Sequence, residues 1–399
     1  MTVSYTGSFL RLLFRWKGSI WRSTWKELIV YLVAYYAVRI FYLYGIPQID
    51  NDEDFIKRKF EAICKMFDNY TKLIPLTFLL GFYVSNVVSR WWRQFETLFW
   101  PEDLLSLACL VCPGSDEKST RRRHLIARYV NLSAAIAWRD VSSRIRLRFP
   151  RIHSLVDAGL LTEKEFELLE AHAEESAGTR WLVPLHWVQH IVMKEAEENK
   201  PQASLLNSFM QELKGIRQSF RKLFCYDWVC VPLPYTQVAA LATYAFFFFC
   251  LFGRQFLDGE DGRKSVDLHF PLFTVVQFLF FVGWFKIGQD LMRPFGLDDD
   301  DIELLYIFNR NVVTSFAIVD RIHSMQPPEE ETDMFWKSHL NGEIPSLPPM
   351  KVVLKGVKNH APKLHAYISV DGVEYDKPDI ARDVFCDPSR KRKKSTFHW

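Results

Sequence analysis

Four consecutive aspartates stand in Arg293-Pro-Phe-Gly-Leu-Asp-Asp-Asp-Asp-Ile-Glu303. Carboxylates at that density attract a hard cation, and calcium accepts carboxylate and backbone oxygens in flexible geometry. Asp298 and Asp301, three apart, can turn their carboxylates to one side of a helix start. The alternating ligands and internal glycine of an EF-hand loop are absent. The same acids could cap a helix expected over 302–322, where the helix dipole favours negative charge, and cap and ion site are compatible. A second pattern offers different chemistry. In Leu73-Ile-Pro-Leu-Thr-Phe-Leu-Leu-Gly-Phe-Tyr-Val84, Ile74, Phe78 and Phe82 recur every four residues, as one stripe on a helix. Facing the axis of an oligomer, such a stripe would stack apolar rings, and a narrow apolar constriction gates ions by dewetting. Amides at a helix start beside Pro75 would favour an anion over a cation. The plain alternative is a helix-packing stripe.

Signatures of enzymes are missing: the chain has no Walker loop, nucleophile elbow or zincin helix. Cys109-x-x-Cys112 lacks a second pair and reads as helix-end packing. His186 and His190 share a helical face without a third ligand, as an ordinary packed pair does. Asn69-Tyr-Thr71 and Asn131-Leu-Ser133 match the glycosylation pattern, but the first hugs an apolar run and the second falls in a segment expected to be cytoplasmic. Seven scattered cysteines suit a reducing environment without a disulfide frame. A net charge of +3 excludes a nucleic-acid binder with a concentrated basic face. The first 26 residues carry Arg11, Arg15, Lys17, Arg22 and Lys26 and lack the apolar core of a cleavable signal peptide.

The elements that must position these residues are hydrophobic runs. Four matter, at 28–46, 73–89, 229–253 and 268–285; the third is uncharged over 25 residues. A membrane-spanning helix needs about 20 mostly apolar residues. Four such runs in one chain predict an integral membrane protein, and 33 Phe with 13 Trp fit packed spans and interfacial belts. Basic clusters flank the N-terminus and the long segments after the second and fourth runs, so both termini and the middle segment are expected to be cytoplasmic. That middle segment, 90–227, reads as helices, as does 298–336. Apolar spacing over Leu155 to Ala173, with Thr162-Glu163-Lys164-Glu165 as a capped start, predicts a helix there. Beyond Trp336 the chain turns rich in Pro, Lys and Asp. The tail, 337–399, is expected to be mobile, with one short strand pair around 351–373 and a basic cluster, Arg390 to Lys394, able to bind anionic membrane lipid.

The run from Ile74 to Val84 with Arg90-Trp-Trp92 resembles the pore neck of the bestrophin family. So do Trp16-Lys-Gly-Ser-Ile20, Arg148-Phe-Pro150, Tyr226-Asp-Trp228, Val282-Gly-Trp284 and Pro294-Phe-Gly296 with its aspartates. The similarity extends from Met1 to about Trp336 and leaves the tail outside. The resemblance implies an all-α membrane protein: a pentameric, calcium-activated chloride channel of the plasma membrane, with four transmembrane segments per subunit and a large helical cytoplasmic region. Subunits would assemble with themselves and with paralogues. Ile74, Phe78 and Phe82 would line the hydrophobic neck. Asp298 and Asp301 would bind Ca2+ through side chains, and Asp290 and Arg293 through backbone oxygens. Two departures from the family pattern stand out. About eight residues are missing between Met1-Thr-Val-Ser-Tyr-Thr6 and Gly7-Ser-Phe9, a stretch that holds a backbone calcium ligand, so weaker calcium binding is expected. A lower aperture of apolar residues falls near Ser204, where a small polar residue would make it wetter. A non-conducting membrane regulator of another channel is the competing expectation.

Overall fold

The computed structural model describes residues 12–49, 55–257, 270–298, 301–325 and 332–342, with the side chains of Ile49 and Ala177 left aside. The described residues are helical, without strands. Helices of ten residues or more run as α1 (Ile20–Ile40), α2 (Phe55–Leu73), α3 (Leu76–Glu96), α4 (Glu102–Val111), α5 (Glu117–Val141), α6 (Glu163–Ser176), α7 (Val183–Asn199), α8 (Ala203–Trp228), α9 (Leu233–Gly253), α10 (Leu272–Asp290) and α11 (Leu304–Asp320). The strand pair expected at 351–373 and the basic cluster at Arg390 to Lys394 lie outside the described residues. The chain divides into two compact units, one holding 15–98 and 222–302, the other 99–221 and 303–342.

The first unit carries the apolar runs. Among the described residues, three stretches are long and apolar enough to cross a membrane: Ile20–Gln48, α9 and α10. The first begins eight residues before the expected run, because Ser19 caps the helix by accepting a hydrogen bond from the Arg22 amide at 3.4 Å. A fourth span exists only as a bent pair, α2 and α3 meeting at 43°. The expected span at 73–89 is therefore not one helix. Pro75 interrupts it, since proline lacks an amide hydrogen and disfavours helical geometry in the residue before it. The connection after the first run is largely helical too. In α2, Phe60, Cys64, Phe67 and Thr71 recur at helical spacing, and Phe67 meets Phe249 and Phe252 of α9 at ring distances of 5.4 and 5.2 Å.

Polar contacts gather at the two ends of this unit. At one, Lys286 pairs with Glu27 at 2.7 Å, and Arg90 donates to the carbonyls of Tyr226 and Val229. At the other, Arg39 donates to the carbonyl of Phe256, Arg254 lies 3.5 Å from Asp68, and the Tyr35 hydroxyl donates to the carbonyl of Arg254. Thus α1 and α9 run one way and α3 and α10 the other. Between the ends lies an aromatic core in which Phe278 sits 5.0 Å from Tyr31 and 4.8 Å from Phe247. Each such ring pair adds about 1 kcal/mol beyond its buried area. Outer faces stay apolar and exposed, including Val30, Val33, Leu241, Phe273 and Phe280, as a surface meant for lipid or neighbouring subunits does.

The second unit is built around α5, which buries more than half its length. Buried polar side chains tie its helices together: Asn131 donates to Ser315 at 2.8 Å, Asn311 to the carbonyl of Phe99 at 2.9 Å, and Arg122 pairs with buried Glu195. Asn131 and Ser133 are fully buried, so the second glycosylation pattern is a packing element. Cys109 and Cys112 are buried as well, and burial pushes the Cys112 thiol up to about 12. His186 and His190 are exposed rather than packed. The helix expected over Leu155 to Ala173 divides into Ser154–Asp157 and α6, because Gly159 takes φ 73°. The capped start is reciprocal: the Glu165 amide donates to the Thr162 hydroxyl at 3.4 Å, and the Thr162 amide to the Glu165 carboxylate at 2.9 Å.

Candidate functional site

α3 has two faces. Leu76, Leu80, Tyr83, Val84 and Val87 point into the aromatic core and are nearly or fully buried. Phe78 and Phe82 point the other way, 63% and 59% exposed, their rings 4.7 Å apart in an edge-to-face contact. Ile74 does not share their helical register. It lies in the break before α3, partly buried against the core. The break aims the helix start: the Leu76 amide donates back to the Ile74 carbonyl at 2.8 Å, and Pro75 offers no side-chain cap. Helix geometry then leaves the amides of Thr77 and Phe78 outside the backbone ladder. An open cleft of about 310 Å³ beside them is lined by Ile74, Phe78, Gln277 and Phe281.

The same outward stripe continues past the phenylalanines to Ser85, Ser89 and Arg93, all exposed. The stripe expected to end at Phe82 thus carries on, at spacings of three and four, for three more turns. Tyr235 holds this helix against α9, accepting from Asn86 at 2.6 Å and donating to the Phe82 carbonyl at 3.2 Å. Ser204 is exposed in the first turn of α8.

The described residues of the acidic loop make several internal hydrogen bonds. Asp301 is buried, and its Oδ2 accepts from the Asp298 amide at 2.6 Å, while the Ile302 amide donates to the Pro294 carbonyl at 2.7 Å. The following helix starts at Leu304 rather than Ile302, and Glu303 at its N-cap makes no side-chain cap. This Asp301 bond runs upstream, to the loop. Asp298 and Arg293 are exposed, and Asp290 accepts from the Ser23 hydroxyl at 3.4 Å. A Cβ placed on Gly296 would stand 2.7 Å from Asp301 Oδ2 and 3.6 Å from the Arg293 carbonyl oxygen. Two of the expected ligand oxygens therefore border one small space that a methyl group would fill. A carboxylate and a backbone carbonyl are oxygens of the kind that calcium takes, and these two would be part of its shell. When bound, calcium would cross-link the loop through these oxygens.

Comparison with known proteins places these features. A family model described as "Bestrophin, RFP-TM, chloride channel" matches residues 1–321. Bestrophin homolog 13 of Caenorhabditis elegans is 58% identical over 410 residues, covering 99% of this chain and 99% of its own. Similarity to that protein therefore runs through the tail, beyond the Trp336 limit expected from the motifs. Human Bestrophin-1 is 38% identical over 347 residues, or 84% of this chain, and this chain spans only 58% of that relative. A crystal structure of a bacterial bestrophin homolog from Klebsiella pneumoniae, carrying a point mutation, is similar in fold, with a TM-score of 0.50 at 16% identity. It covers 76% of this chain and 99% of its own.

Proposed function

This chain belongs to the bestrophin family, and from that premise we propose that it is a subunit of a calcium-activated anion channel conducting chloride and other small monovalent anions. The subunits form a homopentamer of the plasma membrane with both termini cytoplasmic. One observation carries the reading: α3 turns a stripe outward that passes from Phe78 and Phe82 to Ser85, Ser89 and Arg93. Lipid is a poor solvent for hydroxyls followed by a guanidinium. A second copy packed against the whole stripe would leave those groups dry. An aqueous axis shared by several copies suits both halves, the rings as a dewetting constriction and the polar groups as a wet path. Arg93 and the first-turn amides of α3 bias that path toward anions.

Calcium acts through the 293–302 loop, where Asp301 supplies charge and the Arg293 carbonyl a neutral oxygen. Purified protein in liposomes loaded with a halide-sensitive dye tests the reading as a whole. Chloride flux should rise as calcium is added on the side that the acidic loop faces. Absence of flux at every calcium concentration would favour a non-conducting regulator of another channel.

A further inference from the structure

Six cysteines among the described residues are free, and Cys64, Cys109, Cys112 and Cys250 are buried. Cys225 and Cys230 are exposed. They flank the junction of α8 with α9: Cys225 occupies the last turn of α8, and Cys230 sits three residues before Leu233, where the span begins. Around them the surface changes from charged to aromatic. Trp228 is 74% exposed between the two thiols, and Phe224 stacks on it at 5.9 Å. Arg90 lies over the Tyr226 ring at 5.2 Å, and Trp91 and Trp92 follow it on α3. Tryptophan and tyrosine gathered beside a cation where apolar helices end mark a membrane–water interface. Val229 and Leu233, both 67% exposed, continue the surface into the span.

We propose that Cys225 and Cys230 are S-acylation sites, each carrying a long-chain fatty acid in thioester linkage. The inference rests on the reading above in one respect, that this end of the spans faces the cytoplasm. Exposed juxtamembrane thiols are the acceptors such acylation uses, and a chain attached at this height enters the leaflet directly. In the step, the cysteine sulfur attacks the carbonyl carbon of a long-chain acyl-coenzyme A thioester. The new carbon–sulfur bond forms as the bond to the coenzyme's sulfur breaks, and the coenzyme leaves as a thiol carrying the cysteine's proton. No electrons change hands. A disulfide between the two is disfavoured on the reducing side of the membrane. Metal binding lacks a third ligand among the described residues. Acyl chains on both thiols would tether the α8–α9 junction, whose carbonyls at Tyr226 and Val229 hold Arg90 of α3.

The test is acyl exchange on the full-length protein expressed in animal cells, in a Cys386→Ser background that removes the cysteine outside the described residues. Free thiols are blocked, thioesters are opened with neutral hydroxylamine, and the released thiols are tagged with a polyethylene-glycol maleimide. The parent should show two mass shifts, Cys225→Ser and Cys230→Ser one each, and the combined variant none. Serine differs by one atom and both side chains are exposed, so the variants should keep the parent's gel-filtration profile. A parent without hydroxylamine-dependent shifts, or shifts that persist in the combined variant, overturns the proposal. So do thiols that become available for tagging after reductant instead of hydroxylamine, which would identify a disulfide. Resistance of the protein to alkaline carbonate extraction is read in parallel. An unacylated protein that stays in the membrane defeats the acylation alone, whereas one that washes out defeats the membrane reading as well.

Discussion

Gly296 leaves open the space where a Cβ would meet Asp301 Oδ2 at 2.7 Å, and that opening can be tested one atom at a time. Gly296→Ala puts a methyl group between two candidate calcium oxygens without demanding an unusual backbone, since Gly296 is not among the residues of positive φ. The variant should need on the order of tenfold more calcium to open, because affinity in oxygen-ligand sites follows ligand charge and fit. Asp301→Asn keeps an oxygen to accept the Asp298 amide yet removes the charge, and should shift the calcium response at least as far. Its thermal stability in calcium-free buffer should stay near the parent's. Calcium titration of chloride flux measures both, and unchanged curves would leave the aspartates a purely structural part. The acids were legible in the sequence as a dense run. That Asp301 binds upstream to Asp298 was not, because a run of four aspartates carries no signal for which one folds inward.

Helix contacts set the next scale. A Cβ on Gly253 would stand 2.6 Å from the Asp68 amide nitrogen and 2.8 Å from its Cα, so α9 and α2 touch backbone to backbone. Gly253→Ala must push the helices apart and should cost about 2 kcal/mol as an overpacked contact. Gly81→Ala, whose nearest neighbour is the Trp284 ring at 3.9 Å, should leave stability unchanged or slightly raised. Melting temperatures in detergent compare the two, and equal effects would contradict the close approach. In the second unit, Glu165 ties α6 to α5, accepting from both Arg128 terminal nitrogens at 2.7 Å and from the Tyr129 hydroxyl at 2.6 Å. Burial alone would raise the Glu165 carboxyl, but the hydrogen bonds from Arg128 and Tyr129 outweigh it and hold the pKa at about 2. A depressed carboxyl stabilises fully above its unfolded value and less as pH falls through the folded one. The α5–α6 contact should therefore weaken between about pH 4.5 and 2, and Glu165→Gln should lose roughly 2 kcal/mol at neutral pH. Hydrogen exchange of α6 at pH 7 and pH 4 checks this: the variant should exchange faster and show a flatter pH dependence than the parent. The capping box at Thr162 could be read locally, but Arg128 lies 37 residues away from Glu165, and no periodicity links them. The helix α2 has a signal in the sequence too, since Phe60, Cys64, Phe67 and Thr71 have helical spacing, but a mixture of charges obscures it.

For the whole molecule, the question is what covers Phe78 and Phe82. Hydropathy located the spans, but the bend at Pro75 separates Ile74 from the stripe it would share in one regular helix. That difference alters the choice of variant. Ile74 packs against the core, so its replacement by alanine mixes a gating effect with lost burial. Phe78 and Phe82 are mostly exposed in the subunit, and exposed substitutions usually change stability by less than about 0.5 kcal/mol. Phe78→Ala with Phe82→Ala should therefore fold like the parent as a single subunit, while widening a constriction that several copies build together. An apolar ring blocks ions because a narrow, dry segment strips their hydration, and removing two rings' worth of aromatic surface from every subunit lets water stay. Chloride flux in liposomes should then persist after calcium is chelated, in a protein whose gel-filtration mass matches the parent's. Chelation that still abolishes flux in a correctly assembled double variant would place the gate elsewhere. If the mass falls to that of one subunit, the rings are holding copies together, and the outward face of α3 is a subunit interface instead of the wall of a pore.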